Sequence, residues 1–209
     1  MKKLQAIKWC ATVVCIASLG SLLSACVPLV IGGAALGGAL VATDRRTSGT
    51  QLEDQGIELR AIGRINDNLG TRVHVNVTSY NRQVLLTGEV PSAQDKQLVE
   101  QIVSRVDNVR LVANELAVLG ASSMTQRSSD ALVTGKVKAA MVDSKDLFAN
   151  AFKVVTERGV VYLMGRVTQR EADRATEIAR STSGVQKVVR LLEVISEEEL
   201  KRTLPAPKS

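Results

Sequence analysis

Few side chains in this sequence are placed to do chemistry. Cys26 stands where an uncharged apolar run breaks into small residues, LGSLLSACVPLVIGG from Leu19 to Gly33, and a thiol there is a target for acylation. His74 is the single histidine, and it falls on the outward phase of a strand whose Val73, Val75 and Val77 point the other way. With no Ser or Cys nucleophile beside it, it reads as a surface histidine and not as a catalytic base. Asp143 and Asp146 suggest an acid pair or a metal loop, but no Gly and bidentate Glu follow at calcium-loop spacing, so a turn after a helix is expected. Gly88 and Gly165 fall in strands and not in a strand-to-helix loop, which excludes a phosphate cradle and points to close approach of a packed helix. The sequence therefore predicts no catalytic residue, no metal and no cofactor, and turns the question toward binding.

The elements that position Cys26 are those of an export signal. Met1-Lys2-Lys3 and Lys8 precede an uncharged run from Trp9 to Ala25, and Leu23-Ser24-Ala25-Cys26 matches the bacterial lipobox, in which small residues admit a peptidase to the bond. Residues 1–25 are expected to be removed and Cys26 to be lipidated. Cys10 and Cys15 leave with the signal, so no thiol remains for a disulfide, a redox pair or a metal site. The Gly/Ala-rich segment that follows, Val27 to Thr43, is at the lower limit for a membrane span and is weakened as a helix by paired glycines. It reads as a tether near the bilayer surface, within residues 26–50.

Removing the signal also removes three lysines, which halves the formal charge of +6. A nucleic-acid partner is not expected on that balance. Aromatic residues reinforce the exclusion. Beyond Trp9 only Tyr80, Phe148, Phe152 and Tyr162 are present, too few for a stacking platform.

The rest of the chain repeats itself. VLLTGEV (Val84 to Val90) superposes on VYLMGRV (Val161 to Val167) with Gly88 on Gly165, an offset of 77 residues. DNVRLVANELAV (Asp107 to Val118) then matches SGVQKVVRLLEV (Ser183 to Val194) at an offset of 76. Periodicity orders the elements in each copy. In the first, Leu59, Ile62, Ile65 and Leu69 are expected on the buried face of a helix, a hairpin turns at SYNRQ, and Pro91-Ser92 opens a second helix before the last strand. The second copy places Val133, Val137, Ala140 and Met141 on its first helix and a capping box, Thr168 with Glu171, at its second. The expected class is α+β: two domains of about 70 residues, 51–118 and 129–196, each a three-stranded mixed sheet on two helices in the order α-β-β-α-β. One sheet face should stay accessible, so docking of the copies is plausible. A polar linker (119–128) and a charged C-terminal tail (197–209) complete the chain.

The strand with its glycine and the Gly-Val-x-x-Val turn into the last strand, best developed in VYLMGRVTQREADRATEIARSTSGVQKVV (Val161 to Val189), resemble the BON domain. Gly184 is the turn glycine of the second copy; Asp107-Asn108-Val109 replaces it in the first. Two such domains behind a lipobox, with DRRTSGTQ between, look like the dual-BON outer-membrane lipoproteins of Gram-negative bacteria, a family associated with division and outer-membrane stress. The resemblance implies a lipid-anchored, periplasm-facing protein that helps maintain the envelope and binds anionic phospholipid through its second domain. Val27 after the lipidated cysteine, in place of an aspartate, fits transport to the outer membrane.

Charge independently favours the second copy as the lipid reader. Residues 51–118 carry seven Lys/Arg against nine Asp/Glu, and residues 127–196 carry twelve against eight. Basic residues near an anionic bilayer contribute on the order of 1 kcal/mol each. Within SDALVTGKVKAAM (Ser129 to Met141), Leu132 with Lys136 and Lys138 offers an apolar side chain beside two cations, the arrangement interfacial binding requires. In family members tryptophan can stand where Leu132 stands. The alternative is an adaptor whose sheets dock on envelope assembly proteins.

Overall fold

The computed structural model describes residues 44–203. The expected signal, Cys26, the tether through Thr43 and the tail from Leu204 lie outside the described residues. The first domain runs α1 (Ser48–Leu69), β1 (His74–Tyr80), β2 (Gln83–Val90), α2 (Ala93–Ser104), β3 (Leu111–Asn114) and β4 (Ala117–Val118). The second runs α3 (Met124–Asp143), β5 (Phe152–Glu157), β6 (Val160–Val167), α4 (Gln169–Ser181) and β7 (Lys187–Val194), followed by a short α5 (Glu197–Thr203). The class is α+β, with two mixed sheets of four and three strands.

Each sheet is a hairpin with a parallel strand added to its second member. β1 pairs antiparallel with β2, and β5 with β6, while β3, β4 and β7 run parallel to the central strands β2 and β6. In the first domain the last strand is in two pieces. The register is the same on both sides of the gap, with Gln83 opposite Leu111 and Glu89 opposite Ala117, so the strand is interrupted without slipping. At the gap the Leu116 amide donates to the Asn114 side chain, whose own NH₂ reaches the Lys96 carbonyl and Glu100.

Both hairpins close in two residues with left-handed backbones, Asn81-Arg82 (φ 50° and 66°) and Arg158-Gly159 (φ 51° and 75°), the type I′ geometry that matches strand twist. Non-glycine residues there are strained by roughly 1–3 kcal/mol each. A buried aspartate of the preceding helix offsets that cost in each copy. Asp54 accepts from the amides of Asn81 and Arg82, both at 2.8 Å, and Asp130 from those of Arg158 (2.8 Å) and Gly159 (2.9 Å). Their separation of 76 residues is the repeat offset already visible in the last strands.

The core of the first domain is carried by Ile57, Ala61, Ile65 and Leu69 on α1, with Val77, Val84, Leu86 and Val99. Ile65 and Leu69 were expected there; Leu59 and Ile62 are instead exposed. At about 100° per residue, Leu59 lies some 200° round the helix from Ala61, which faces the sheet. The second core joins Val133, Val137 and Met141 of α3 to Val161, Leu163, Ala172, Ala175 and Ala179. The small residues of α4 let its backbone lie close to the sheet, and the capping box at its start is present, with Thr168 and Glu171 each satisfying the other's amide. The stretch read as a linker is helical from Met124, because the Ser123 side chain accepts from the Gln126 amide and caps the helix.

The two domains pack through the sheet faces that their own helices leave uncovered. Tyr80 and Leu85 meet Tyr162 and Met164 in a third buried cluster, with Ala113, Val155 and Leu191 at its margin. The face each sheet leaves uncovered is thus where the copies dock, as the sequence suggested, and most of it is buried there. A 70-residue domain is marginal in core size alone, and the seam adds a third buried cluster that the copies share.

Candidate functional site

The outer surface of α3 is the feature most unlike the rest of the molecule. With Val133, Val137 and Met141 turned to the core, helical geometry places Ala131, Leu132, Gly135, Ala139 and Val142 on one exposed arc. Leu132 is 67% and Val142 69% exposed, and Met124 continues the arc one turn before Ser128. Lys136 and Lys138 are exposed and bracket the arc from opposite sides. The sequence placed Lys138 beside Leu132; the helix places it some 120° away, on the other flank. Long apolar stems with charges that can rise to water suit a helix lying along an interface. Among the described residues no helix is long and apolar enough to cross a membrane.

The segment before α1 holds both domains. Arg45 makes a bidentate pair with Glu171, at 2.7 and 2.6 Å, and donates to the Arg166 carbonyl at 3.0 Å. Both side chains are buried. Burial alone pushes the Glu171 carboxyl up, but Arg45 and the Thr168 amide more than offset it, so it ionises below its ordinary 4.5. Its neighbour Arg46 turns the other way, to Asp44 and Asp54 at 2.8 Å each, and lies 4.2 Å from the centre of the Tyr80 ring. Two consecutive arginines thus grip different domains. Sequence reasoning missed this strap: Asp44, Arg45 and Arg46 entered only as the start of DRRTSGTQ, which named no partner for them.

His74 is not a plain surface histidine. Its Nδ1 lies 2.9 Å from the buried Glu89 carboxylate, which also meets Arg158 of the second domain at 3.4 Å. Burial raises Glu89, while the bonds from His74 and Ser122 bring it below its ordinary 4.5 overall. Among the described residues the imidazole's bonded partner is this carboxylate and not a hydroxyl or thiol nucleophile. Asp146 accepts from Ser144 and lies 3.4 Å from Arg174 in the turn after α3. Among the described residues no group of three or more His, Cys, Asp or Glu is placed to hold a metal ion.

Gly88 and Gly165 serve close approach to backbone at the hairpin partner and not to a helix. A Cβ on Gly88 would lie 2.2 Å from the His74 carbonyl oxygen, at a φ of 110°, and one on Gly165 2.6 Å from that of Ala151. Gly184, at φ 96°, abuts Val133, and Asn108 takes the same left-handed conformation (φ 67°) in the first copy. Asparagine tolerates that region better than other side chains, which explains how the turn survives without glycine.

Comparison with known proteins agrees with this architecture. The BON domain model matches residues 54–120 and again 129–196. The chain is 38% identical over 175 residues to outer membrane lipoprotein DolP of Haemophilus influenzae, covering 83% of this chain and 90% of that protein. It is 29% identical over 154 residues to a 21 kDa hemolysin of Actinobacillus pleuropneumoniae, covering 73% and 79% respectively. Among solved structures, CdsD, a structural protein of the type III secretion system of Chlamydia trachomatis, aligns over 70% of this chain and 99% of that one at 15% identity. Its TM-score of 0.30 is too low to bear on the reading. With two family matches spanning most of the described residues, the chain belongs to the BON-domain family, as a dual-BON lipoprotein.

Proposed function

We propose that this chain is a non-enzymatic outer-membrane lipoprotein, anchored through Cys26, whose second BON domain lays α3 on anionic phospholipid and thereby helps maintain the envelope. The observation that carries the reading is the exposed arc of Ala131, Leu132, Gly135, Ala139 and Val142 between Lys136 and Lys138. Apolar side chains enter the interface while the two lysines meet phosphate. The relationship to an outer membrane lipoprotein supports the location. Tethering through the acyl chain makes the α3 contact intramolecular, so a weak affinity suffices. A link to division rests on the family resemblance.

The adaptor reading loses the surface it required, because the sheet faces are buried against each other. What remains to it is the exposed apolar row of Leu52, Leu59 and Ile62 on α1.

Both cores, the seam and the strap lie within residues 44–203, so the chain from Asp44 to Ser209 carries the folded unit. Sedimentation of that form with phosphatidylglycerol or cardiolipin vesicles tests the proposal. Binding should be absent on neutral vesicles, weaken with salt and be lost on Leu132→Asp. Equal binding to neutral and anionic vesicles, or none to either, would refute it.

A further inference from the structure

An open groove of about 450 Å³ lies between the domains, beside the α3 arc. Arg46 and Asp44 of the strap, Tyr80 of β1, Lys153 of β5, and Lys138 and Val142 of α3 line it. Three of these side chains are cations and one is a carboxylate.

Donor capacity in the groove is uneven. Arg46 is spent: its guanidinium is bonded to Asp44 and Asp54 and stacked over Tyr80. Lys153 donates to the Glu58 carboxylate at 2.8 Å and to the Ser79 carbonyl at 3.2 Å, which uses two of its three hydrogens. Lys138 has no bonded partner among the described residues, and so brings all three. The charges around the groove balance, Arg46, Lys138 and Lys153 against Asp44, Asp54 and Glu58, so what it offers an anion is free donors, three on Lys138 and one on Lys153. Val142 belongs to both the groove and the exposed arc. With the arc in the interface, the groove opens at headgroup depth.

Resting on the membrane-contact reading above, we infer that this interdomain groove is a headgroup site. It takes the phosphodiester of one bilayer phospholipid between Lys138 and Lys153, its acyl chains leaving past Val142. Lys136, on the far flank of the arc, then acts only as surface charge. The occupant is a lipid and not free phosphate, because the mouth adjoins the apolar arc that meets the bilayer. Asp44, also in the lining, is an acceptor for a hydroxyl or amine carried beyond the phosphate.

The test compares two lysines of equal charge on one helix. In the chain from Asp44 to Ser209, Lys138→Gln should weaken binding to phosphatidylglycerol vesicles about fivefold more than Lys136→Gln does. Both residues are exposed, so folding should be intact, as circular dichroism will report. Dihexanoyl phosphatidylglycerol below its micelle concentration should shift the NMR signals of the Tyr80 ring and the Val142 methyls, and Lys138→Gln should abolish those shifts. Equal losses from the two lysine variants, or shifts confined to Leu132 and Ala139, would overturn the site while leaving membrane contact standing. Inorganic phosphate moving the same signals as strongly would overturn the assignment to a lipid. No vesicle binding by the unaltered chain would sink the membrane reading itself.

Discussion

Helices α1 and α3 occupy the same place in their domains, and their buried rows match at an offset of 76 residues: Asp54 with Asp130, Ile57 with Val133, Ala61 with Val137, Ile65 with Met141. Their outer rows do not match. Leu132 stands where the first copy has Gly56, Lys138 where it has Ile62, and Val142 where it has Asn66. Lys136 corresponds to Arg60, but Arg60 is held by Glu53 at 2.6 Å, whereas Lys136 is free among the described residues. One backbone thus carries in one copy an outer face with a paired arginine and a row of Leu52, Leu59 and Ile62, and in the other an apolar arc bracketed by two unpaired lysines. The core row fixes where the helix lies, and the outer row is left to set what it meets.

The comparison can be broken at its strands first. Gly88→Ala combines a forbidden contact with a left-handed φ, and should cost at least about 4 kcal/mol in urea unfolding. Gly165→Ala, without the φ penalty, should cost about 2–3 kcal/mol. Equal costs would mean that the two central strands are built alike after all. Next comes the strap: Glu171→Ala leaves Arg45 buried and unpaired, and a loss of about 3–4 kcal/mol is expected, with Arg45→Ala close behind.

Acid should expose the same contacts. Glu89 and Glu171 are both held below 4.5, so the unfolded chain binds more protons as pH falls. Their contribution is fully present above about pH 4.5 and drains as pH drops through the depressed folded values. The urea midpoint should stay level from neutrality to that point and fall below it, with a shallower fall in Glu171→Gln.

A gain of function sharpens the contrast more gently. Writing the outer row of α3 onto α1, with Gly56→Leu and Ile62→Lys, should raise affinity for anionic vesicles about fivefold. Sedimentation would show it, and no gain would mean that the α3 arc acts only with its groove. The smallest effect is expected at the turn before the last strand. Asn108→Gly should change stability by no more than about 0.5 kcal/mol, while the reverse change at Gly184 meets Val133 and should be plainly destabilising.

Much of this fold is legible in sequence because it is local. Alternating valines, a capping box spanning four residues and a repeated glycine strand are set by neighbours in the chain, and the repeat doubles the strand signals. Leu59 and Ile62 misled because α1 has apolar residues on two faces, and composition alone does not say which face meets the sheet. The pairs that join the domains were out of reach for a different reason. Arg45 and Glu171 lie 126 residues apart, and either alone reads as an ordinary polar residue. The exposed arc was half legible: Leu132, Lys136 and Lys138 could be picked out by residue type and spacing, but their disposition round the helix depended on which residues faced the core. His74 likewise followed the strand phase correctly, while Glu89 across the hairpin made it a buried carboxylate's partner.

The strap also decides how load enters the molecule. Tension drawn along the N-terminal segment meets Arg45 first, and so α4 of the second domain, and reaches Arg46 and α1 of the first domain only once that grip has yielded. A strand pulled from its end unzips one hydrogen bond at a time. Here the pull meets two multidentate side-chain grips in succession, one on each side of the seam, before either sheet is peeled.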